Sequence, residues 1–134
     1  MDLSLKVEGY ADDDATWLGS SHGTSSGRSA TLDLTAFTEA THYPDGYLPS
    51  GLPLGRIMAS GLYGPYDAAA TDGTEVLAGF LLTACTATPR DGATTTVVGA
   101  LLDHGRVKVA NLPVAFTPPT TAANNATTIV FWEV

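Results

Sequence analysis

A chain of 134 residues is long enough for one domain with a real core, since a domain of this size buries about two-thirds of its unfolded surface. Hydrophobic residues make up 44% and charged residues only 15%, with 14 glycines and 8 prolines, a balance that suits a turn-rich β domain rather than a helical one. The net charge is −8, and no cluster of Lys or Arg interrupts it, which argues against direct binding to nucleic acid or to an anionic membrane.

Residues 1–28 read as a segment of their own. Leu3, Leu5 and Val7 alternate like a short strand, followed by Asp12-Asp13-Asp14 and a Gly/Ser/Thr-rich run to Ser29. Such a stretch cannot bury enough apolar area to offset an ordering entropy of roughly 1–2 kcal/mol per residue. Yet Leu3, Leu5, Val7, Tyr10, Trp17 and Leu18 are more apolar than a linker requires, so the segment is expected to be an arm that orders against a partner. Met1–Glu8 lacks the basic start and apolar run of a signal peptide, and no apolar stretch reaches membrane-spanning length, which predicts synthesis in a reducing cytosol.

The β-rich domain is expected over residues 29–134. Thr31–Phe37 alternates Leu32, Leu34 and Ala36 against polar neighbours, the period-two pattern of a half-buried strand. From Gly46 to Gly73, turn chemistry dominates: Pro49-Ser50-Gly51, Gly64-Pro65 and Asp72-Gly73 mark corners around Leu54, Ile57 and Leu62, which leave room for one short strand. Val76–Ala84 is nearly continuous in apolar residues and predicts a strand buried on both faces. Thr94–Leu102 is a second β-branched strand. Asp103-His104-Gly105 is expected to fold it into a hairpin with Arg106–Ala110, with Val107 inward and Arg106 and Lys108 outward. Asn111–Asn125 is a loop or one helical turn, and Thr127–Trp132 closes the chain as a strand.

Several residue groups resemble chemistry and are better explained without it. Gly19-Ser20-Ser21-His22-Gly23 fits G-x-S-x-G formally, but no strand precedes it and no helix pattern follows, so it lacks the context of a nucleophile elbow. Asp12-Asp13-Asp14 has no calcium-loop spacing, and His22, His42 and His104 have no metal-ligand spacing to one another. Asp91 and Asp103 form no acid–base pair by sequence, and Asn125-Ala126-Thr127 is a glycosylation triplet without a secretory context. Cys85, the single cysteine, reads as a small buried hydrophobe. No catalytic residue, metal or cofactor is expected.

A family resemblance then emerges. Thr41-His-Tyr-Pro-Asp-Gly-Tyr-Leu-Pro-Ser-Gly-Leu-Pro-Leu-Gly55, Tyr63-Gly-Pro-Tyr-Asp67, Thr71-Asp-Gly73, Ala78-Gly-Phe-Leu-Leu82, Val98-Gly-Ala-Leu-Leu102, His104-Gly105 and Leu112-Pro113 resemble the head decoration proteins of tailed bacteriophages. The group is similar in plan to the lambda decoration protein, and this phrasing resembles its versions in phages of actinobacteria. The resemblance implies a mainly β domain that forms a homotrimer and binds the major capsid protein on the outer surface of the expanded head, at three-fold and quasi-three-fold positions. It also implies that the N-terminal arm adds strand hydrogen bonds to the shell, and that the trimer cements capsomers against the pressure of packaged DNA. Neither nucleic acid nor membrane is a partner in that picture. Two other classes compete with it: a surface or tail-associated module contacting host carbohydrate through Tyr47, Tyr63 and Tyr66, and a trimeric enzyme with an intersubunit Asp/His site, which no phosphate-binding motif or acid–base set supports.

Overall fold

The computed structural model describes residues 15–20, 23–24, 27–87 and 95–132. The expected arm residues Leu3, Leu5, Val7 and Tyr10, together with Asp12-Asp13-Asp14, Ser21, His22 and Asp91, lie outside the described residues. The rest is mainly β, as expected from composition. Nine strands are described: β1 (Arg28–Asp33), β2 (Tyr47–Leu48), β3 (Pro53–Arg56), β4 (Tyr63–Pro65), β5 (Leu77–Leu81), β6 (Cys85–Thr86), β7 (Thr96–Leu102), β8 (His104–Lys108) and β9 (Thr128–Trp132). One short helix, α1 (Glu39–His42), and three single 3-10 turns complete the set.

Five strands close into a barrel in the order β1-β4-β3-β5-β7. Strand β1 lies antiparallel to β7 over six register pairs, from Arg28↔Leu101 to Asp33↔Thr96, and parallel to β4 at Leu32↔Tyr63. The other barrel neighbours are antiparallel. Outside the barrel, β2 pairs with β6, and β8 pairs in parallel with β9.

Two apolar clusters result, and β5 and β7 belong to both. Ala30, Leu32, Leu34, Phe37, Leu48, Leu52, Leu54, Leu81, Cys85, Ala87 and Leu101 form the first. Trp17, Leu77, Phe80, Leu102, Val107 and Ile129 form the second, which packs between the barrel and the β8–β9 ribbon. The pairs Phe80↔Leu102 and Leu81↔Leu101 send neighbouring side chains to opposite clusters, so the continuous apolar run of β5 is a strand buried on both faces. A register shift helps: Leu54 pairs with Gly79 while Gly55 pairs with Leu77, so one residue of β5 is bulged. The extra residue changes side-chain parity and puts Leu77 in the same cluster as Phe80.

Three local expectations are corrected. The strand expected over Thr31–Phe37 stops at Asp33, whose Oδ1 accepts from Thr35 N–H at 2.9 Å and Thr35 Oγ1 at 2.5 Å, turning Leu34–Ala36 into a 3-10 turn that still buries Leu34. The stretch from Gly46 to Gly73 holds three strands, not one: β2, then β3 and β4 joined as a hairpin whose loop is closed by Ile57 N–H donating to Leu62 O at 2.7 Å. The hairpin expected between β7 and the following strand does not form. Only Asp103 separates β7 from β8, too few residues for a two-residue hairpin turn. Asp103 instead takes Arg28 Nη2 on its carboxylate at 2.6 Å and Thr128 N–H on its carbonyl at 2.9 Å, and the chain leaves the barrel to pair with β9. Val107 is nonetheless fully buried and Arg106 exposed, as alternation requires.

Trp17 fastens the N-terminal side of this arrangement. It is 1% exposed, its Nε1–H donates to Ser50 Oγ at 3.0 Å, and Ser50 Oγ donates to Leu82 O at 2.8 Å. Its ring lies 5.9 Å from that of Phe80. Gly51 sits beneath it with φ +92, and a Cβ there would stand 2.8 Å from Trp17 Cδ1.

Two stability changes follow from this seat. Trp17→Ala should destabilise the domain by about 3–5 kcal/mol in chemical denaturation, the range for emptying a large aromatic site. Gly51→Ala combines a left-handed backbone with overpacking against the indole and should cost about 1–3 kcal/mol. A wild-type unfolding midpoint for either variant would remove Trp17 as the fastening point.

Candidate interaction surface

The segment before β1 is laid on the domain by backbone as well as by the indole. Gly19 N–H donates to Arg106 O at 2.9 Å, Lys108 N–H donates to Trp17 O at 2.6 Å, and Leu18 bridges antiparallel to Val107. Asn111 Nδ2 holds Thr16 O at 2.9 Å. Residues 17–19 thus run along one edge of β8, while β9 occupies the other. Of the six residues expected to contact a partner, Trp17 is a core residue and Leu18 packs against the same cluster. The structure brings these two together on the domain and does not describe the other four.

The outward face of the ribbon alternates with its buried face. Gly105, Val107 and Ile129 are buried. Their neighbours pair as His104↔Thr128, Arg106↔Val130 and Lys108↔Trp132, so these six side chains share the opposite face. Val130 is 52% and Trp132 37% exposed. The Arg106 guanidinium carbon lies 5.5 Å from the centre of the Trp132 ring, within cation–π range. His104 Nδ1 and Thr128 Oγ1 are 2.7 Å apart. Sequence reading identified the outward Arg106 and Lys108 but not their apolar companions, because the parallel pairing with β9 joins segments some twenty residues apart.

Several acidic and amide side chains serve turns. Asp67 Oδ1 accepts from Ala69 N–H at 3.0 Å, and Asp72 Oδ1 accepts from Thr74 Oγ1 at 2.6 Å and Thr74 N–H at 3.1 Å. The Thr74 hydroxyl, with help from the backbone, holds the Asp72 carboxyl below its ordinary range. Asn125 Oδ1 accepts from Thr127 N–H and Oγ1 at 2.9 and 2.6 Å, so the glycosylation triplet is a turn of the same kind. Cys85 is buried in the barrel cluster. Among the described residues, no three His, Cys, Asp or Glu side chains converge to hold a metal, and no helix is long and apolar enough to cross a membrane.

The three tyrosines of the carbohydrate reading do not form one platform. Tyr66 lines a half-open cavity of about 380 Å³ with His42, Asp67 and Phe116. Tyr47 borders an adjoining one with Pro49 and Pro113, whereas Tyr63 faces a separate one between Arg28 and Arg56.

His42 shows how α1 is closed. Thr38 N–H donates to His42 Nδ1 at 2.8 Å, so this nitrogen must be unprotonated, and the ring packs edge-on to Phe37 at 5.5 Å. Burial holds the imidazole below its ordinary value of 6.5. Neutral His42 therefore contributes its full stability above that value, and the contribution declines as pH falls from there through the lowered folded value. An NMR titration of the His42 ring should show a midpoint below 6.5 with the Nε2–H tautomer in the neutral form; a midpoint at or above it contradicts the acceptor role of this half-buried ring.

Comparison with known proteins supplies a family. No curated protein and no solved structure gives a significant match to the chain. The family described as bacteriophage lambda head decoration protein D matches residues 30–129, which spans the barrel and most of the ribbon. The chain belongs to this family of phage head decoration proteins, a structural family of the virion rather than a family of enzymes.

Proposed function

We propose that the protein cements the phage head: it binds the outside of the expanded capsid as a homotrimer, at three-fold and quasi-three-fold positions, and stabilises the shell against the pressure of the DNA inside. Membership of the head decoration family is the observation that carries this reading. The net charge of −8 supports it, since an acidic outer protein does not compete for the packaged DNA. No cofactor is required.

Attachment is assigned to the arm. Leu3, Leu5, Val7 and Tyr10 are the proposed apolar contacts with the major capsid protein, pairing as an added strand along a subunit edge. Trp17 and Leu18 act differently from the other four in this scheme: with Trp17 in the domain core and Leu18 packed against it, they are the tether through which load on the arm reaches the barrel. Three arms on one trimer make the second and third contacts effectively intramolecular, which multiplies modest affinities by about a hundred-fold or more.

Light scattering should give a mass near three times 13.8 kDa. In co-sedimentation, the full chain should bind expanded shells and not unexpanded ones, and a chain lacking residues 1–14 should lose most of that binding. The deletion must stop there, because removing residues 1–28 also removes Trp17 and empties its seat. Equal binding by the shortened chain sinks the arm assignment; a monomer that ignores both shells sinks the cementing role.

A further inference from the structure

We propose that the outward face of the β8–β9 ribbon is a second contact with the shell, and that it takes an extended, acidic segment of a capsid subunit. The inference rests on the decoration reading above and adds a surface and a partner chemistry to it.

The face is unlike the rest of the chain. The protein has 14 acidic residues against 6 Lys and Arg, yet the ten residues of β8 and β9 contain no Asp or Glu and include Arg106, Lys108 and His104. Asp103, at the start of the ribbon, already holds Arg28 at 2.6 Å. Among the described residues, neither Arg106 nor Lys108 makes an ion pair. Of the four large hydrophobic side chains that stand exposed among the described residues, Val130 and Trp132 lie directly across the register from these two cations, and Trp132 offers its ring to Arg106. Buried aromatic and Arg side chains are the residues that most often anchor an interface. Two cations on an acidic chain are too few to hold a nucleic acid or a membrane, whereas they suit a short run of carboxylates.

The edge argues for an extended occupant. Among the described residues no strand pairs with the outer side of β9. In a parallel ribbon, alternate residues of such a strand direct both N–H and C=O outward, so a peptide lying there gains backbone hydrogen bonds, while its alternate side chains on the outward face lie beside Val130 and Trp132 and face the long Arg106 and Lys108 side chains across β9. Location argues for the shell rather than a second copy. The opposite edge of β8 holds residues 17–19, so the ribbon lies directly beside the point at which the proposed arm joins the domain.

The experiment uses the full-length protein and expanded shells, with affinity read by co-sedimentation over a range of salt. The double variant Arg106→Glu/Lys108→Glu should bind about tenfold or more weakly and lose much of the salt dependence of the wild type. Trp132→Ser should weaken binding in a salt-independent way. Arg56→Glu, a charge reversal away from the ribbon, should bind as the wild type does. Mass by light scattering and melting temperature should be unchanged in all of them; if the double variant melts early, Arg106→Gln/Lys108→Gln replaces it. Wild-type affinity for the ribbon variants overturns the inference and leaves the cementing role standing. A change of oligomeric mass also overturns it, by assigning the face to contacts between copies. Failure of the unaltered protein to bind shells removes the cementing role, and this inference with it.

Discussion

Strand directions around a closed ring can alternate only when the number of strands is even. A five-stranded barrel must therefore contain one parallel neighbour pair, and here it falls between β1 and β4, where a single register pair, Leu32↔Tyr63, marks the seam. Everything else leans on how β1 is held. Six antiparallel pairs to β7 fix one side of it, and Arg28 to Asp103 ties its first residue to the point where the chain leaves the barrel. Trp17 then fixes the segment that precedes it, so the weakest pairing in the ring is braced from the end and not along its length.

The same brace joins the two apolar clusters. Ser50 is one of two buried polar side chains among the described residues, and it relays from the indole to Leu82 O at the end of β5. Because β5 and β7 send side chains into both clusters, the ribbon cannot shift against the barrel without disturbing the barrel interior. That rigidity is what lets one outward face of β8 and β9 keep a fixed relation to the arm's point of entry.

Much of this was legible from residue order. The apolar run at Val76–Ala84 announced a strand covered on both sides, alternation at Arg106–Lys108 announced one buried and one solvated face, and Cys85 packed as a small hydrophobe. Periodicity reports burial, which is a local property of a strand. It does not report partners. The parallel pairing of β8 with β9 and the seam at β4 depend on ring closure, and no window of neighbouring residues contains that information. For the candidate surface, Arg106 and Lys108 were recognisable as outward, whereas Val130 and Trp132 gained meaning only once the register placed them opposite. Trp17 and Leu18 show the converse limit: an apolar residue in a polar stretch signals that it will be covered, not which molecule covers it.

The seat of Trp17 has a further consequence for the order in which the protein comes into being. A ribosome releases the N-terminus first, yet the groups that receive Trp17, Gly19 and β1 are made late: β7 begins at Thr96, and the backbone partners of Trp17 and Gly19 are Lys108 and Arg106. Such distant pairings form slowly, because the loop must close before any contact repays it. The barrel thus has no partial version in which its first strand is at home, and folding waits until most of the chain has been synthesised.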